Sequence, residues 1–199
     1  MADTDLADIV RQARALGCQI LGICGDYQMP GKRVYDPFHQ EDGTQSEAQD
    51  IGLFDYQTTI SNEKHTVLAA GELFPPFAGV AVRGYEIHMG RTTALKDAQP
   101  LARINEPTSG PAQNCVSWEG VVGQNGRVIG PYLHGILHND GFRTRWLNQI
   151  RQDKGLLPKA VAFAVETAQE AAYDRLANVV RRHLDLPQYC IGCWIIRDR

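Results

Sequence analysis

Ten residues near the amino end, Gln19-Ile-Leu-Gly-Ile-Cys24-Gly-Asp-Tyr-Gln28, constrain this 199-residue chain more than any other stretch. Five mostly apolar residues lead into a cysteine, and a glycine follows it directly. A short apolar run of this kind fits a buried parallel strand. A sharp turn at its end would present the Cys24 side chain at the carboxyl edge of a sheet, where ligands bind in open α/β folds. A helix starting just after the turn would favour the thiolate through its N–H groups and dipole. That is the geometry of a nucleophile elbow with cysteine in place of serine. Taken alone, the run is more often the setting of a buried cysteine acting as a small apolar residue.

Upstream, residues 4–17 read as a helix. Thr4 suits the N-cap, Asp5 and Asp8 the first turn, and Gly17 the position just past the end. Leu6, Ile9, Val10, Ala13 and Leu16 fall on one face. Downstream, residues 31–50 are polar and turn-rich and read as a surface loop. Val67–Ala70 and Gly79–Glu86 read as short strands, with Pro75-Pro76 marking the turn between them. Residues 105–114 read as another loop. Gln124-Asn125-Gly126, set between Val121-Val122 and Val128-Ile129, is a strong hairpin signal that delivers the chain to His134. Asp140 suits the N-cap of a helix whose Phe142, Trp146, Leu147 and Ile150 form one face. Pro158 suits the first turn of a second helix, with Val161, Val165, Ala168, Ala172, Leu176, Val179 and Val180 as its inner stripe.

Composition bounds the function. The chain is 43% hydrophobic and 22% charged with a net charge of −3, which fits one globular domain and gives no basic footprint for nucleic acid. No segment approaches the length of a membrane span, and the acidic start lacks the features of a signal peptide. A cytoplasmic protein is expected. Five cysteines, an odd number, give no expectation of a disulfide framework. The Cys190-x-x-Cys193 pair near the end supplies half of a structural zinc site at most. No metal site is expected.

Three ordered blocks carry a family resemblance. Gly22-Ile-Cys24-Gly-Asp-Tyr-Gln28-Met, Arg83-Gly-Tyr-Glu-Ile-His88-Met-Gly-Arg-Thr92 and Gly130-Pro-Tyr-Leu-His134-Gly-Ile-Leu-His-Asn-Asp140 resemble the class I (Cys–His) glutamine amidotransferases, in the branch of cobyric acid synthase. The resemblance spans about Asp5 to Leu186. It implies an α/β, flavodoxin-like three-layer glutaminase domain over residues 1–186, followed by a tail at 187–199. It implies Cys24 as nucleophile, His134 as general base and acid, and Gly25, Gln28 and His88 at the glutamine pocket. Read without it, His134 and His88 are ordinary structural histidines. His134 lies 110 residues from Cys24, so only a fold can join them. The family branch lacks the acid that usually follows the histidine at Ile136, leaving Asp140, Glu86 or a backbone carbonyl to orient the imidazole.

The implied reaction releases ammonia from glutamine for amidation of adenosylcobyrinic acid a,c-diamide in cobalamin biosynthesis. ATP and Mg²⁺ are expected only in a synthetase domain or subunit acting as partner. Asp26-x-x-x-x-Gly31-Lys32-Arg33 lacks the first Gly and the final Ser/Thr of a phosphate loop. Only 23 residues precede Cys24, where the family has several strands and a loop supplying an oxyanion-hole amide. A sheet incomplete on its N-terminal side is therefore expected, with the apolar face of the 4–17 helix exposed. Asp26, where the family has Gly, is expected to strain the turn and oppose the thiolate, and Pro30 to break a helix. Two other readings fit the residues: a glutaminase subunit of another ligase, such as one amidating a cell-wall precursor, or a non-catalytic remnant.

Overall fold

The computed structural model describes residues 6–40, 47–49, 51–94, 98–105, 116–123, 126–161 and 164–184. The first helix, α1, spans Leu6–Ala15. It ends where the sequence predicts, since Gly17 takes φ 88° and the N–H groups of Gly17 and Cys18 close back on the carbonyls of Arg14 and Ala13, both at 3.0 Å. Thr4, expected as the N-cap, lies outside the described residues. None of α1 is buried, and Ile9 and Leu16 are 56% and 85% exposed. The exposed apolar face expected of this helix is present.

Strand β1, Ile20–Leu21, pairs in parallel with β8, Val128–Gly130. The pairing continues past its ends, from Gly22 N–H to Ile129 O and from Cys24 N–H to Pro131 O, each at 2.9 Å. The apolar run before Cys24 is thus tied along its length to the strand that leads to His134. After β1 the chain forms one helical turn, α2, at Gly25–Gln28.

The segment expected to be a surface loop contains two short strands, β2 (Arg33–Tyr35) and β3 (Glu47–Gln49). β2 pairs in parallel with Gln57–Thr59 of β4 and antiparallel with β3. Three-residue strands carry no local periodicity, so a long neighbour rather than their own pattern makes them strands. That neighbour, β4, runs over Tyr56–Leu73 and forms a long hairpin with β5, Ala81–Ala94. Both are much longer than Val67–Ala70 and Gly79–Glu86. Their added length is the polar first half of β4, Gln57–Thr66, and its partner stretch Ile87–Ala94, whose strand character comes from pairing. The register shifts between Ile60 and His65, where β4 bulges. The hairpin turns at Pro75-Pro76, as expected.

β6 (Gln99–Asn105) pairs with the end of β4, and β7 (Val116–Gly123) joins β6 to β8. The β7–β8 hairpin at Gly126 is the one read from the sequence. The sheet order is β1-β8-β7-β6-β4-β2-β3, with β5 on β4. Most pairs are antiparallel because hairpins, not crossover helices, make the connections. The loop expected at 105–114 lies beyond the described residues except for Asn105, which ends β6.

Helix α3, Asp140–Asp153, places Phe142 in the core and Trp146 against it. Its N-cap is Asn139, so Asp140 is the first helical residue rather than the cap. Phe142 is fully buried against Phe77 in an edge-on contact, with Trp146 stacked beside it. Leu147, expected on the same face, is half-exposed because only one stripe of α3 meets the core. After α3, Lys159 exchanges two 2.8 Å bonds with the Asn148 side chain, and Arg151 Nε donates to Leu157 O. These bonds hold residues 157–159 extended, so Pro158 starts no helix.

Two compact units emerge, residues 1–159 and 160–199. The division falls upstream of the 186/187 boundary drawn from the resemblance. The second unit contains α4, Val165–His183, none of whose residues is buried. The expected inner stripe is therefore not a core stripe within the described residues. The Cys190-x-x-Cys193 pair lies outside them.

Candidate active site

Cys24 sits between β1 and α2 at φ 58°, ψ −112°, a backbone conformation costing on the order of 1–3 kcal/mol for a non-glycine residue. The turn is tight enough that a Cβ on Gly22 would lie 2.2 Å from the Asp26 carbonyl oxygen. Backbone folds directly over backbone there, so only glycine fits. This is the elbow the sequence anticipates. With α2 only one turn long, its dipole contributes little to thiolate formation, contrary to the longer helix expected. Gly25 is exposed, and a side chain on it would meet nothing within 4 Å, so the space above the turn is open.

Two expected liabilities of the elbow take a different form. Asp26 is exposed and has ordinary helical neighbours, with its N–H on Ile23 O at 3.1 Å. The strain falls on Cys24, not on Asp26. Pro30 lies beyond the last residue of α2, so it breaks no helix. Its carbonyl accepts the N–H groups of Leu53 and Phe54 at 2.8 and 2.9 Å and anchors the following segment.

The cysteine and the histidine each attach to β5. Cys24 Sγ donates to Ile87 O at 3.5 Å. His134 forms an antiparallel bridge with Tyr85, its N–H reaching Tyr85 O at 2.8 Å, and its ring stacks on the Tyr85 ring at 5.0 Å. The two attachment points are two residues apart, about 7 Å along a strand. A Cβ on Gly84 would lie 2.1 Å from His134 O, so the close approach of β5 to the histidine loop requires that glycine. Asn139 completes the clamp. It accepts from Arg83 N–H at 2.9 Å and donates to the carbonyls of Arg83, Gly135 and Ile136. Of the acids considered as orienters, Asp140 pairs with Arg143, and Glu86 with His88 and His65.

A tyrosine-centred network lies beneath the elbow. The Tyr132 hydroxyl bonds Thr92, which bonds Thr58, and Gln28 reaches the same hydroxyl. Tyr27 packs edge-on against Tyr56 and Tyr132. His88 stacks on Tyr132 at 3.8 Å between ring centroids, with Nδ1 bonded to Gly90 O at 2.8 Å. Gln28 packs on Gly90 so closely that a Cβ there would lie 2.3 Å from its Nε2. Gln28 and His88 are therefore joined through Tyr132, near Cys24. Burial raises the Tyr27 and Tyr132 hydroxyl pKa values above the ordinary one.

Glu119, on β7, belongs to none of the three sequence blocks. It is 4% exposed and accepts the N–H groups of Tyr132 and Leu133 on one oxygen, fixing the backbone just before His134. Burial, and next the charge of Glu86, push its pKa up to about 8 against the lowering effect of those two bonds. The available signal was a carboxylate inside the apolar hairpin that ends at His134.

Residues 1–142 match the model of the CobB/CobQ-like glutamine amidotransferase domain. Among curated relatives, cobyric acid synthase of Dehalococcoides mccartyi strain BAV1 is 41% identical over 184 residues, 89% of this chain and 35% of that protein. Cobyric acid synthase of Thermoanaerobacter sp. strain X514 is 36% identical over 182 residues, 88% of this chain and 35% of that protein. The chain thus spans about a third of the length of these relatives. The solved structure of PurLQS from Thermotoga maritima shares the fold at 16% identity and a TM-score of 0.52, covering 75% of this chain and 70% of that one. The fold class is accordingly α/β, of the class I amidotransferase type. Three blocks in family order, an elbow at the first and a shared strand joining the other two agree with the match across the larger part of the chain: it belongs to the CobB/CobQ-like glutamine amidotransferase family, as a domain homologous to that of cobyric acid synthase.

Proposed function

We propose that this chain is the glutaminase portion of a cobyric-acid-synthase-like ligase, working by Cys–His catalysis. The observation that carries the reading is the elbow at Cys24, with its sulfur on the strand to which His134 is bridged. In this reading the Cys24 sulfur attacks the carboxamide carbon of glutamine and its proton passes to His134. The imidazolium returns that proton to the leaving ammonia, and a thioester remains. Water, deprotonated by His134, then hydrolyses the thioester to glutamate.

The exposed Gly25 amide directly follows the nucleophile, where an elbow supplies an oxyanion donor. Its N–H and the open space above it support a place at the substrate. Gln28 and His88 shape the pocket floor through Tyr132. Ammonia then passes to a synthetase partner, where ATP and Mg²⁺ belong, for amidation of a corrinoid carboxylate. The identity to cobyric acid synthases supports that destination over a cell-wall ligase or an inactive remnant. The proposed location is the cytoplasm, and no helix among the described residues is long and apolar enough to cross a membrane.

Ammonia release from glutamine, measured on the purified chain alone and mixed with a cobyric acid synthase synthetase portion, tests this. Turnover should vanish with Cys24→Ala and fall at least about a hundredfold with His134→Ala. Amidation of adenosylcobyrinic acid a,c-diamide in the mixture should depend on ATP and Cys24. Ammonia release unchanged by Cys24→Ala would refute the mechanism.

A further inference from the structure

Three potential metal ligands converge on the β4–β5 hairpin. His65 and His88 are directly opposite one another in the register, and Glu86 lies two residues before His88, on the same face of β5. Glu86 Oε2 lies 3.3 Å from His88 Nε2 and 3.5 Å from His65 Nε2, and the three ligand atoms fall within 4.8 Å of one another. The β4 bulge, between Ile60 and His65, sets the register that places His65 across from His88.

The hydrogen bonds at this point also aim one ring nitrogen at the carboxylate. The Gly90 carbonyl can only accept, so its bond to His88 Nδ1 places a proton on Nδ1. In the neutral ring, Nε2 then presents a lone pair to a carboxylate oxygen 3.3 Å away. Two acceptors at that distance repel unless a proton or a metal ion lies between them. Fixing Nδ1–H on a backbone carbonyl is also how proteins aim the other nitrogen of a metal-binding histidine. The ring is further held by its stack on Tyr132. Around a tetrahedral Zn²⁺ with bonds of about 2.0–2.2 Å, neighbouring ligand atoms lie about 3.3–3.5 Å apart. The two Glu86 distances match that spacing. The remaining edge, between the histidines, closes by rotation of His65, whose side chain is 52% exposed.

We propose that His65, Glu86 and His88 form a site for a divalent cation of the zinc class. Two imidazoles and one carboxylate suit Zn²⁺, Co²⁺ or Ni²⁺ better than Mg²⁺ or Ca²⁺, which favour all-oxygen shells. The ion ties β4 to β5 beneath Tyr132. Its role is structural, bracing the floor under the elbow, and the site stands whether or not the chain hydrolyses glutamine.

The test is titration of the full chain with Zn²⁺ and with Co²⁺ near neutral pH, in a Cys190→Ser, Cys193→Ser background that removes the paired thiols. One ion should bind per chain, and the cobalt spectrum should lack sulfur charge-transfer bands. His65→Ala and Glu86→Gln should each weaken binding at least about tenfold. Zn²⁺ should raise the melting temperature of the parent but not of His65→Ala. Glu86→Gln perturbs a buried group, whereas His65→Ala alters an exposed side chain and should melt like the parent in EDTA, so it keeps the test decisive. Absence of binding, sulfur bands in the bound cobalt, or unchanged affinity in His65→Ala would each overturn the proposal.

Discussion

Replacing Glu119 by Gln should change how stability depends on pH more than it changes stability in acid. Glu119 is buried, with its pKa raised from 4.5 to about 8. Between these values the folded protein holds a proton that the unfolded chain releases. Stability contributed by this group is therefore present in acid and lost as pH rises toward 8. Integrating the linkage across the window gives a loss of about 4 kcal/mol. The Gln variant keeps the oxygen that accepts from Tyr132 and Leu133 but cannot ionise. Its amide nitrogen replaces Oε2, which has no hydrogen-bond partner among the described residues. Parent and variant should thus be nearly equal at about pH 5, and the variant should be the more stable by several kcal/mol at about pH 8. Urea unfolding of both proteins across that range, followed by tryptophan fluorescence, measures the difference. Taking the difference cancels the ionisable groups that do not interact with Glu119, while its coupling to Glu86 stays within the measured gap. A gap that does not grow with pH would show that Glu119 is ionised throughout, and would remove the argument that burial dominates its two hydrogen bonds.

Gly22→Ala should disrupt the elbow, since its Cβ would lie 2.2 Å from a backbone oxygen. Labelling of Cys24 by an electrophilic glutamine analogue should fall at least tenfold or so while far-UV circular dichroism stays near native. Phe142→Ala should cost about 3–5 kcal/mol in urea unfolding, because the ring is fully buried between Phe77 and Trp146. Ile9→Lys with Leu16→Lys should alter stability by less than about 1 kcal/mol and reduce self-association in sedimentation, because Ile9 on α1 and Leu16 just past its end are both exposed to solvent. Asp26→Gly should likewise leave stability within about 1 kcal/mol, as Asp26 is exposed at a helical position.

Local signals read well wherever a single residue type was forced by the backbone. Gly17 ends α1, Gly126 sits in the β7–β8 hairpin, and the Cys24 turn follows its apolar run. Each is a short-range constraint that leaves a mark in sequence. Pairing partners left no such mark. β2 and β3 were hidden in a polar segment because their strand character comes from β4. Pro158 suits a helix start by its local preference, but the distant Asn148 and Arg151 side chains hold its neighbours extended. Pro30 is compatible with α2 because that helix ends at Gln28, a length the sequence does not reveal.

The candidate site divides along the same line. By itself the sequence determined the family, the order of the three blocks and the identities of Cys24 and His134, because motif spacing is written along the chain. The tertiary structure alone decided what stands across from what. It bridged His134 to Tyr85, set Cys24 Sγ on Ile87 two residues away, buried Glu119 behind the histidine and lined up His65 with His88 and Glu86. The physical reason is that strand register is fixed by contacts between distant segments. A shift of one residue would turn Glu86 and His88 to the opposite face, and no local preference of either strand prevents that shift.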